Sequence, residues 1–229
     1  MTRRESYAKR TFNKGFRGIG NWDKEGKIRA SDITYKTILS KSAEIFALKG
    51  YEKASMREIA GAAGVSLAAP YYYFKNKETI LFQIQKRGFE YLVQNLKSVV
   101  ASDKSSREKI RIFVESHVRY FLNNRNEMKV IIHEYDVLSK EYQDQIFQIK
   151  TEYTHLAEDI LKDYLQERGI EGCNSLYAIM ALFGMMNWLY TWFRPRKKGN
   201  LEMEELIDVI LNIFFDGIHH WETGKTPMS

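Results

Sequence analysis

Apolar side chains recur every three or four residues along most of the chain, which is the spacing of an amphipathic helix. The first stripe runs from Tyr35 to Phe46, and Gly50 follows it as a C-terminal cap. Two later stripes begin at Ser-x-x-Glu capping boxes, which start at Ser55 and Ser105. No segment alternates apolar and polar residues with the period of two that a half-buried strand requires. The pattern therefore predicts an all-α fold.

The periodic pattern divides the chain into three regions. Residues 1–30 contain four glycines and no helical stripe, so we predict a basic, flexible arm. Residues 31–79 form three short predicted helices, two of which are joined by a glycine-containing turn. Residues 80–229 show longer stripes, and we predict an antiparallel helical bundle that dimerises through its last helices.

Positive charge is concentrated in the arm. It has nine Lys or Arg residues against three Asp or Glu, a balance of +6 that equals the formal net charge of the whole chain. Next to a DNA-reading module, such an arm would add phosphate contacts and follow a groove. The same composition also suits a solvated tail with no specific role, and both interpretations stay open.

An uncharged run from Asn174 to Phe193 is long enough to span a bilayer, and a basic cluster follows it. Its asparagines, its bunched Tyr and Trp residues and the amphipathic helices around it favour a buried core or dimer-interface helix instead. A membrane-anchored helical protein is the alternative. Cys173 is the only cysteine and no apolar h-region follows the basic N-terminus, so we expect a cytoplasmic protein without an internal disulfide.

The segment from Ser55 to Lys77 has the pattern of a helix-turn-helix. Gly64 lies in the turn between two short helices, the second of which would enter the major groove of DNA. Ser66 would cap that second helix and leave its amides facing a phosphate. Three consecutive tyrosines and Lys75 and Lys77 would supply further phosphate contacts.

Residues from about Ile33 to Leu81 closely resemble the DNA-binding domain of the TetR/AcrR family of bacterial repressors. The residues that carry the match are Phe46, Gly50, Tyr51, Ile59, Ala60, Gly64, Val65, Ser66, Tyr71, Tyr73, Phe74, Lys77 and Glu78. The resemblance implies a repressor that binds a palindromic operator on double-stranded DNA as a homodimer. It also implies that a small effector, bound by the C-terminal domain, releases the operator.

The start of the second helix carries the residues with which the family reads bases. Residues 67–69 offer only apolar contacts there, such as those to thymine methyl groups, so we predict that Arg57 makes the polar base contact. Phosphate contact or plain packing is the alternative for Arg57. Pro70 departs from the family pattern, and with Ser66 as cap it would remove the first intrahelical hydrogen bond. The predicted DNA-binding set is Ser55, Arg57, Ser66, Leu67, Ala68, Ala69, Tyr71, Tyr72, Tyr73, Lys75 and Lys77.

Two segments of the C-terminal half, Leu182 to Trp188 and Trp192 to Pro195, resemble a particular subgroup of the family. Its members regulate fatty-acid, sterol or aromatic-acid degradation and respond to acyl-coenzyme A thioesters. A pocket of Phe, Met, Tyr and Trp suits an acyl chain, and basic residues near its mouth suit phosphates. The predicted effector-binding set is His117, Phe121, Tyr153, Met186, Asn187, Trp188 and Arg194.

Three alternatives to the acyl-CoA hypothesis stay open. The aromatic residues of that set would also fill a closed core, and the basic cluster after Phe193 would also form a solvated loop. A related regulator of multidrug efflux would bind hydrophobic drugs instead. No cofactor is predicted.

Metal binding and catalysis are not indicated. His133, Glu134 and Asp136 lie close together in sequence, but adjacent residues face different sides of a helix and no second His follows four residues later. The chain has no phosphate loop, nucleophile elbow or catalytic-triad pattern. We therefore expect a regulator and not an enzyme.

Overall fold

The structure is a computed structural model that describes residues 30–194 and 201–220. All regular secondary structure in these ranges is helical, which confirms the predicted all-α fold. The predicted basic arm and most of the basic cluster after Phe193 lie outside the described residues. The helices are α1 (Ala30–Lys49), α2 (Met56–Ala63), α3 (Ala68–Tyr73), α4 (Lys77–Val100), α5 (Ser106–Asn123), α6 (Arg125–His133), α7 (Lys140–Arg168), α8 (Ser175–Asn187), α9 (Leu189–Trp192) and α10 (Leu201–His219).

The described residues form two compact units. The first, here called the N-terminal unit, takes residues 30–91 and 129–143. The second, here called the C-terminal unit, takes residues 92–128, 144–194 and 201–220.

Local sequence signals fix the ends of the first helices. Gly50 ends α1 with a φ of +85°, and its N–H donates to the carbonyl of Phe46 at 2.9 Å. Ser55 and Glu58 form the predicted capping box at the start of α2. Gly64 ends α2 in the left-handed region with a φ of +67°, a conformation that glycine adopts without a steric penalty. α1, α2 and α3 then pack on one another.

A segment from much later in the chain completes the N-terminal unit. The Nζ of Lys129, on α6, donates to the carbonyl of Ala47 at 2.5 Å, near the end of α1. The carboxylate of Glu134 accepts the backbone N–H of Tyr51 at 3.1 Å. No sequence pattern indicated α6 or these contacts, because they join residues about eighty positions apart.

Helix α5 lies against three other helices of the C-terminal unit, namely α8, α9 and α10. It begins at the second predicted capping box, formed by Ser105 and Glu108. The long helix α7 ends at Arg168, and the next residue, Gly169, has a φ of +63°. The core of this unit is apolar and fully buried at Phe113, Val114, Val118, Ile146, Leu161, Leu182 and Ile207.

The uncharged run from Asn174 to Phe193 is not the single apolar helix that the sequence suggested. It is divided at Trp188 into α8 and α9. One side of α8 is buried at Ile179 and Met186, whereas Tyr177 on the other side is 70% exposed. Among the described residues, no helix combines the length and the apolar character needed to cross a bilayer.

We expected the bundle to dimerise through its last helices, but the main apolar stripe of the last helix, α10, belongs to the core of the chain. Ile207, Ile210 and Phe214 are all buried. The opposite side of the helix leaves Val209 and Ile213 exposed, at 48% and 60%. A dimer contact through α10 must therefore use this second side.

Candidate DNA-binding and effector sites

Helices α2 and α3 present most of the predicted DNA-binding residues to solvent. The N-terminal unit exposes Ser55 and Arg57 at the start of α2, and Ser66 and Leu67 in the turn. Ala68, Tyr71, Tyr72 and Lys75 are exposed as well, whereas Ala69, Tyr73 and Lys77 are partly buried. The structure therefore brings the predicted set together on one helix-turn-helix.

Ser66 does not cap α3 as predicted. The residue at the cap position is Leu67, and no side chain accepts a hydrogen bond from the first amides of the helix. The carbonyl of Ser66 accepts the N–H of Ala69 at 3.0 Å, so its contribution to the turn comes from the backbone. Since Ala69 donates to Ser66 and Pro70 has no N–H, only the N–H of Ala68 among the first three residues of α3 is left to solvent or to a ligand.

This shifted cap changes the role of Pro70. With Leu67 at the cap, Pro70 is the third residue of α3, where an N–H has no intrahelical acceptor in any case. The prediction that the proline removes a helical hydrogen bond is therefore wrong. Its ring is buried, and its carbonyl accepts the N–H of Phe74 at 2.9 Å. Pro70 fits the first turn of α3 without breaking it.

The three tyrosines of α3 divide into two kinds. Tyr71 is 54% exposed and Tyr72 is 82% exposed, so their hydroxyls are available to DNA phosphates. Tyr73 packs edge-on against Tyr35 of α1, with ring centroids 6.0 Å apart. Its ring therefore holds α3 on α1.

Lys77 is engaged within the protein. Its Nζ donates to the carbonyls of Tyr51, Glu52 and Ala54 at 2.8, 3.2 and 3.0 Å. The same atom lies 4.1 Å from the centre of the Tyr51 ring. Burial, assisted by the carboxylate of Glu78, raises the pKa of Tyr51 to about 12. Because an ammonium has three N–H donors, the loop between α1 and α2 occupies all of those of Lys77.

The predicted effector residues meet in the C-terminal unit around a buried histidine. Nδ1 of His117 lies 3.0 Å from the hydroxyl of Tyr153, and Nε2 lies 3.1 Å from Oδ1 of Asn187. An amide oxygen only accepts, so Nε2 carries the proton and the Tyr153 hydroxyl donates to Nδ1. We call these three residues the histidine triad.

Aromatic rings enclose the triad. Phe121 stacks on His117 with ring centroids 4.1 Å apart, and Phe113 and Phe183 pack against Tyr153 at 5.8 and 5.6 Å. Burial lowers the pKa of His117 to about 4, against the opposing effect of its hydrogen bond to Asn187. The imidazole is therefore neutral at pH 7.

The remaining predicted effector residues, Met186, Trp188 and Arg194, differ in their burial and in their contacts. Met186 is fully buried on α8, whereas Trp188 is 58% exposed and so does not belong to the buried cluster. Arg194 is exposed and donates to the carbonyls of Tyr190 and Phe193 at 3.0 and 3.1 Å. Phe113 and Phe183 were not among the predicted residues, because their apolar side chains carry no signal that separates them from ordinary core residues. Arg125 was not among them either, although it donates to the same two carbonyls as Arg194.

Of the three residues that we rejected as metal ligands, His133, Glu134 and Asp136, one has a structural role. Among the described residues, no three His, Cys, Asp or Glu side chains lie close enough together to hold a metal ion. Glu134 binds the Tyr51 amide instead.

Comparison with known protein families gives a match in each half of the chain. The profile described as "Bacterial regulatory proteins, tetR family" matches residues 38–84. The profile described as "Tetracyclin repressor-like, C-terminal domain" matches residues 103–218, which is half of the chain.

Alignments with individual relatives cover nearly the whole length of those proteins. The fatty acid metabolism regulator protein of Bacillus subtilis is 26% identical over 188 residues, which cover 81% of this chain and 96% of that protein. Among solved structures, the TetR family regulator PfmR of Thermus thermophilus is 26% identical with a TM-score of 0.69, covering 81% of this chain and 98% of that one. AibR, solved in complex with isovaleryl coenzyme A and operator DNA, is 25% identical with a TM-score of 0.68, covering 79% and 97%.

These matches confirm the predicted architecture, with a helix-turn-helix followed by a helical C-terminal domain. They also confirm that the chain is a regulator rather than an enzyme. The chain belongs to the TetR family of bacterial regulatory proteins.

Proposed function

We propose that this protein is a transcriptional repressor that binds a palindromic operator as a homodimer and releases it when an acyl-CoA thioester binds the C-terminal unit. It would act in the cytoplasm, where the bacterial chromosome lies. The observation that carries the effector assignment is the histidine triad, a small polar group enclosed by aromatic rings.

The exposed face of α2 and α3 supports the DNA-binding part of the proposal. Tyr71, Tyr72 and Lys75 would bind phosphates, and Arg57 would reach a base edge or a phosphate from α2. Residues 67–69 expose apolar surface suited to thymine methyl groups. Ser55 and Ser66, exposed at the two helix starts, complete the set, while Tyr73 and Lys77 act by holding its geometry.

Two packed helices support the dimer. α8 and α10 contact each other, and each leaves apolar side chains exposed in the single chain. Tyr177 and Met180 on α8 and Val209 and Ile213 on α10 are between 48% and 70% exposed. A second copy placed about a two-fold axis would cover these faces in a four-helix interface.

The buried cluster around the histidine triad suits an apolar effector that carries one polar group. His117, Tyr153 and Met186 are at most 3% exposed, so an acyl chain enters only by displacing some of these side chains. Such a displacement would give the ligand different affinities for two conformations, which release of DNA requires. A thioester carbonyl would then accept a hydrogen bond from the triad. AibR, solved with isovaleryl coenzyme A, and the fatty acid metabolism regulator are relatives consistent with this choice.

The charge of the cluster argues against the drug-binding alternative. His117 is held neutral, and its hydrogen-bond partners are a phenol and an amide. None of the described contacts of the triad brings a carboxylate that would balance a cationic drug. A neutral acyl chain fits this setting better.

Calorimetry tests the effector directly. Operator DNA is first selected by the protein from a random duplex library, and acyl-CoAs of short, medium and long chain are then titrated with and without it. We expect a thioester to weaken operator binding, and operator to weaken thioester binding by the same factor, because coupling is reciprocal. Free fatty acids and coenzyme A serve as controls. If no thioester binds at micromolar concentration, or binding leaves operator affinity unchanged, the effector assignment fails while DNA binding stands.

A further inference from the structure

Two guanidinium groups meet at the end of α9. Arg125, the first residue of α6, donates from Nη1 to the carbonyl of Tyr190 at 2.7 Å and from Nη2 to that of Phe193 at 2.5 Å. Arg194 donates from Nη1 to the same two carbonyls at 3.0 and 3.1 Å. Two cations therefore share one pair of neutral acceptors.

The charge of this arginine pair is not balanced within the described residues. No described carboxylate forms an ion pair with Arg125 or Arg194. Burial lowers the pKa of Arg125, and the positive charge of Arg194 lowers it further. Carbonyls at a helix end carry only partial negative charge, so they offset a fraction of two full positive charges. An anion would relieve the repulsion.

The two arginines also retain N–H donors that the carbonyls do not use. A guanidinium has five N–H donors in a planar fork, and the bonds to the two carbonyls use only some of them. The remaining donors of two neighbouring forks suit the oxygens of a phosphate or diphosphate, which arginine binds in pairs.

The position of the pair connects it to the histidine triad. Arg125 follows the end of α5, the helix that carries His117 and Phe121. Arg194 follows α9, which continues directly from Asn187 at the end of α8. At 1.5 Å per helical residue, the end of α5 lies about 9 Å beyond His117. A ligand with its thioester carbonyl at the triad would therefore extend its headgroup towards the arginines.

We propose that Arg125 and Arg194 form a clamp for the phosphate groups of the effector, here the diphosphate of an acyl-CoA thioester. This inference rests on the proposed function for the identity of the ligand, but the clamp itself would bind any diphosphate of suitable size. It assigns a binding role to Arg125, which no sequence pattern selects.

Charge-removing variants test the clamp. Arg125→Gln and Arg194→Gln should each weaken acyl-CoA binding about tenfold, the usual effect of losing a charge-assisted hydrogen bond. Their affinity for the corresponding free fatty acid should stay unchanged. Arg111→Gln is the matched control, because Arg111 lies on α5 of the same unit and pairs with Asp208 on the surface. Arg125→Lys keeps the charge but not the fork, and should be intermediate.

The outcomes separate the clamp from the proposed function. Wild-type protein that binds thioesters as tightly as both Gln variants would overturn the clamp and leave the effector assignment intact. Wild-type protein that binds inorganic pyrophosphate but no thioester, with pyrophosphate binding lost in Arg194→Gln, would support the clamp and overturn the effector. Binding of neither ligand overturns both. Thermal unfolding of each variant guards against loss of fold, and Arg194 is exposed enough to be changed safely.

Discussion

At the scale of single residues, two lysines next to the proposed DNA-binding face differ in the contacts that they make. Lys75 is exposed, whereas the three N–H donors of Lys77 are directed at the carbonyls of Tyr51, Glu52 and Ala54. A lysine that makes these bonds ties the loop after α1 to the start of α4. We therefore expect Lys77 to affect DNA binding through the position of α2, and Lys75 through charge.

These roles predict different salt dependences. Lys75→Ala should weaken operator binding and lower the slope of log affinity against log salt by about one unit, because one phosphate contact is lost. Lys77→Ala should weaken binding with little change of slope and should lower the unfolding temperature. Operator titrations over a range of salt concentrations, combined with thermal unfolding, measure both effects. A loss of slope in Lys77→Ala equal to that in Lys75→Ala would contradict this assignment.

His117 makes a second prediction at this scale, which concerns pH. Its pKa falls from 6.5 to about 4 on folding, so between these values the unfolded chain binds more protons than the folded one. Stability contributed by the neutral imidazole is therefore complete above pH 6.5 and is lost as pH falls towards 4. The loss is on the order of 3 kcal/mol.

The matched variant for that prediction is His117→Gln, which keeps a polar side chain without titrating in this range. Chemical denaturation between pH 4 and pH 7 should show a steeper fall of unfolding free energy in the wild type than in the variant. Equal pH dependence of the two proteins would show that His117 is not buried in its neutral form.

At the scale of helices, the end of α2 depends on one backbone conformation. Gly64 has a φ of +67°, and an added Cβ would meet nothing within 4 Å. Gly61, inside α2, also has open space at its Cβ position but no positive φ. The two glycines therefore differ only in the strain that a side chain would introduce.

Alanine should lower the stability of the protein at position 64 and raise it at position 61. Gly64→Ala should lower the unfolding free energy by about 1 kcal/mol, since alanine is strained at positive φ. Gly61→Ala should raise it by about 0.5–1 kcal/mol, because alanine favours the helix interior. Urea denaturation measures both. A stabilising Gly64→Ala would mean that α2 does not end as described.

How far the sequence predicts the structure depends on the range of the interaction. Helix ends set by nearby residues, such as Gly50 and the Ser55–Glu58 capping box, were predicted correctly because cap and partner lie within a few positions. The cap of α3 was placed one residue early, because Ser66 is a residue type that usually caps helices and Leu67 has no side-chain acceptor. His117 and Tyr153 were both in the predicted effector set, but no spacing rule predicted the hydrogen bond between them. Arg125 was missed because its acceptors lie more than sixty residues away.

At the scale of the whole molecule, the two sides of α10 have different partners. Phe214 packs in the core of its own chain, whereas its neighbour Ile213 is 60% exposed. These adjacent residues therefore separate the part of α10 that serves folding from the part that is free for assembly.

Glutamate at the two positions tests that separation. Ile213→Glu should give a folded monomer with greatly weakened operator binding, because a charge at the interface would be buried without a partner. Phe214→Glu should instead prevent folding, since it places the charge in the core. Analytical ultracentrifugation and circular dichroism distinguish the two results. A fully dimeric Ile213→Glu protein would show that the dimer uses another surface.

The exposed apolar faces of α8 and α10 also bear on how the protein responds to its own copy number. If these faces close only in the dimer, the concentration of operator-binding species follows the square of the chain concentration wherever monomers predominate. Halving the amount of chain would then lower the dimer about fourfold by mass action. Repression would respond more steeply to dilution of the chain than to a loss of operator affinity of the same size, and a chain that fails to assemble would leave its target genes expressed without any effector.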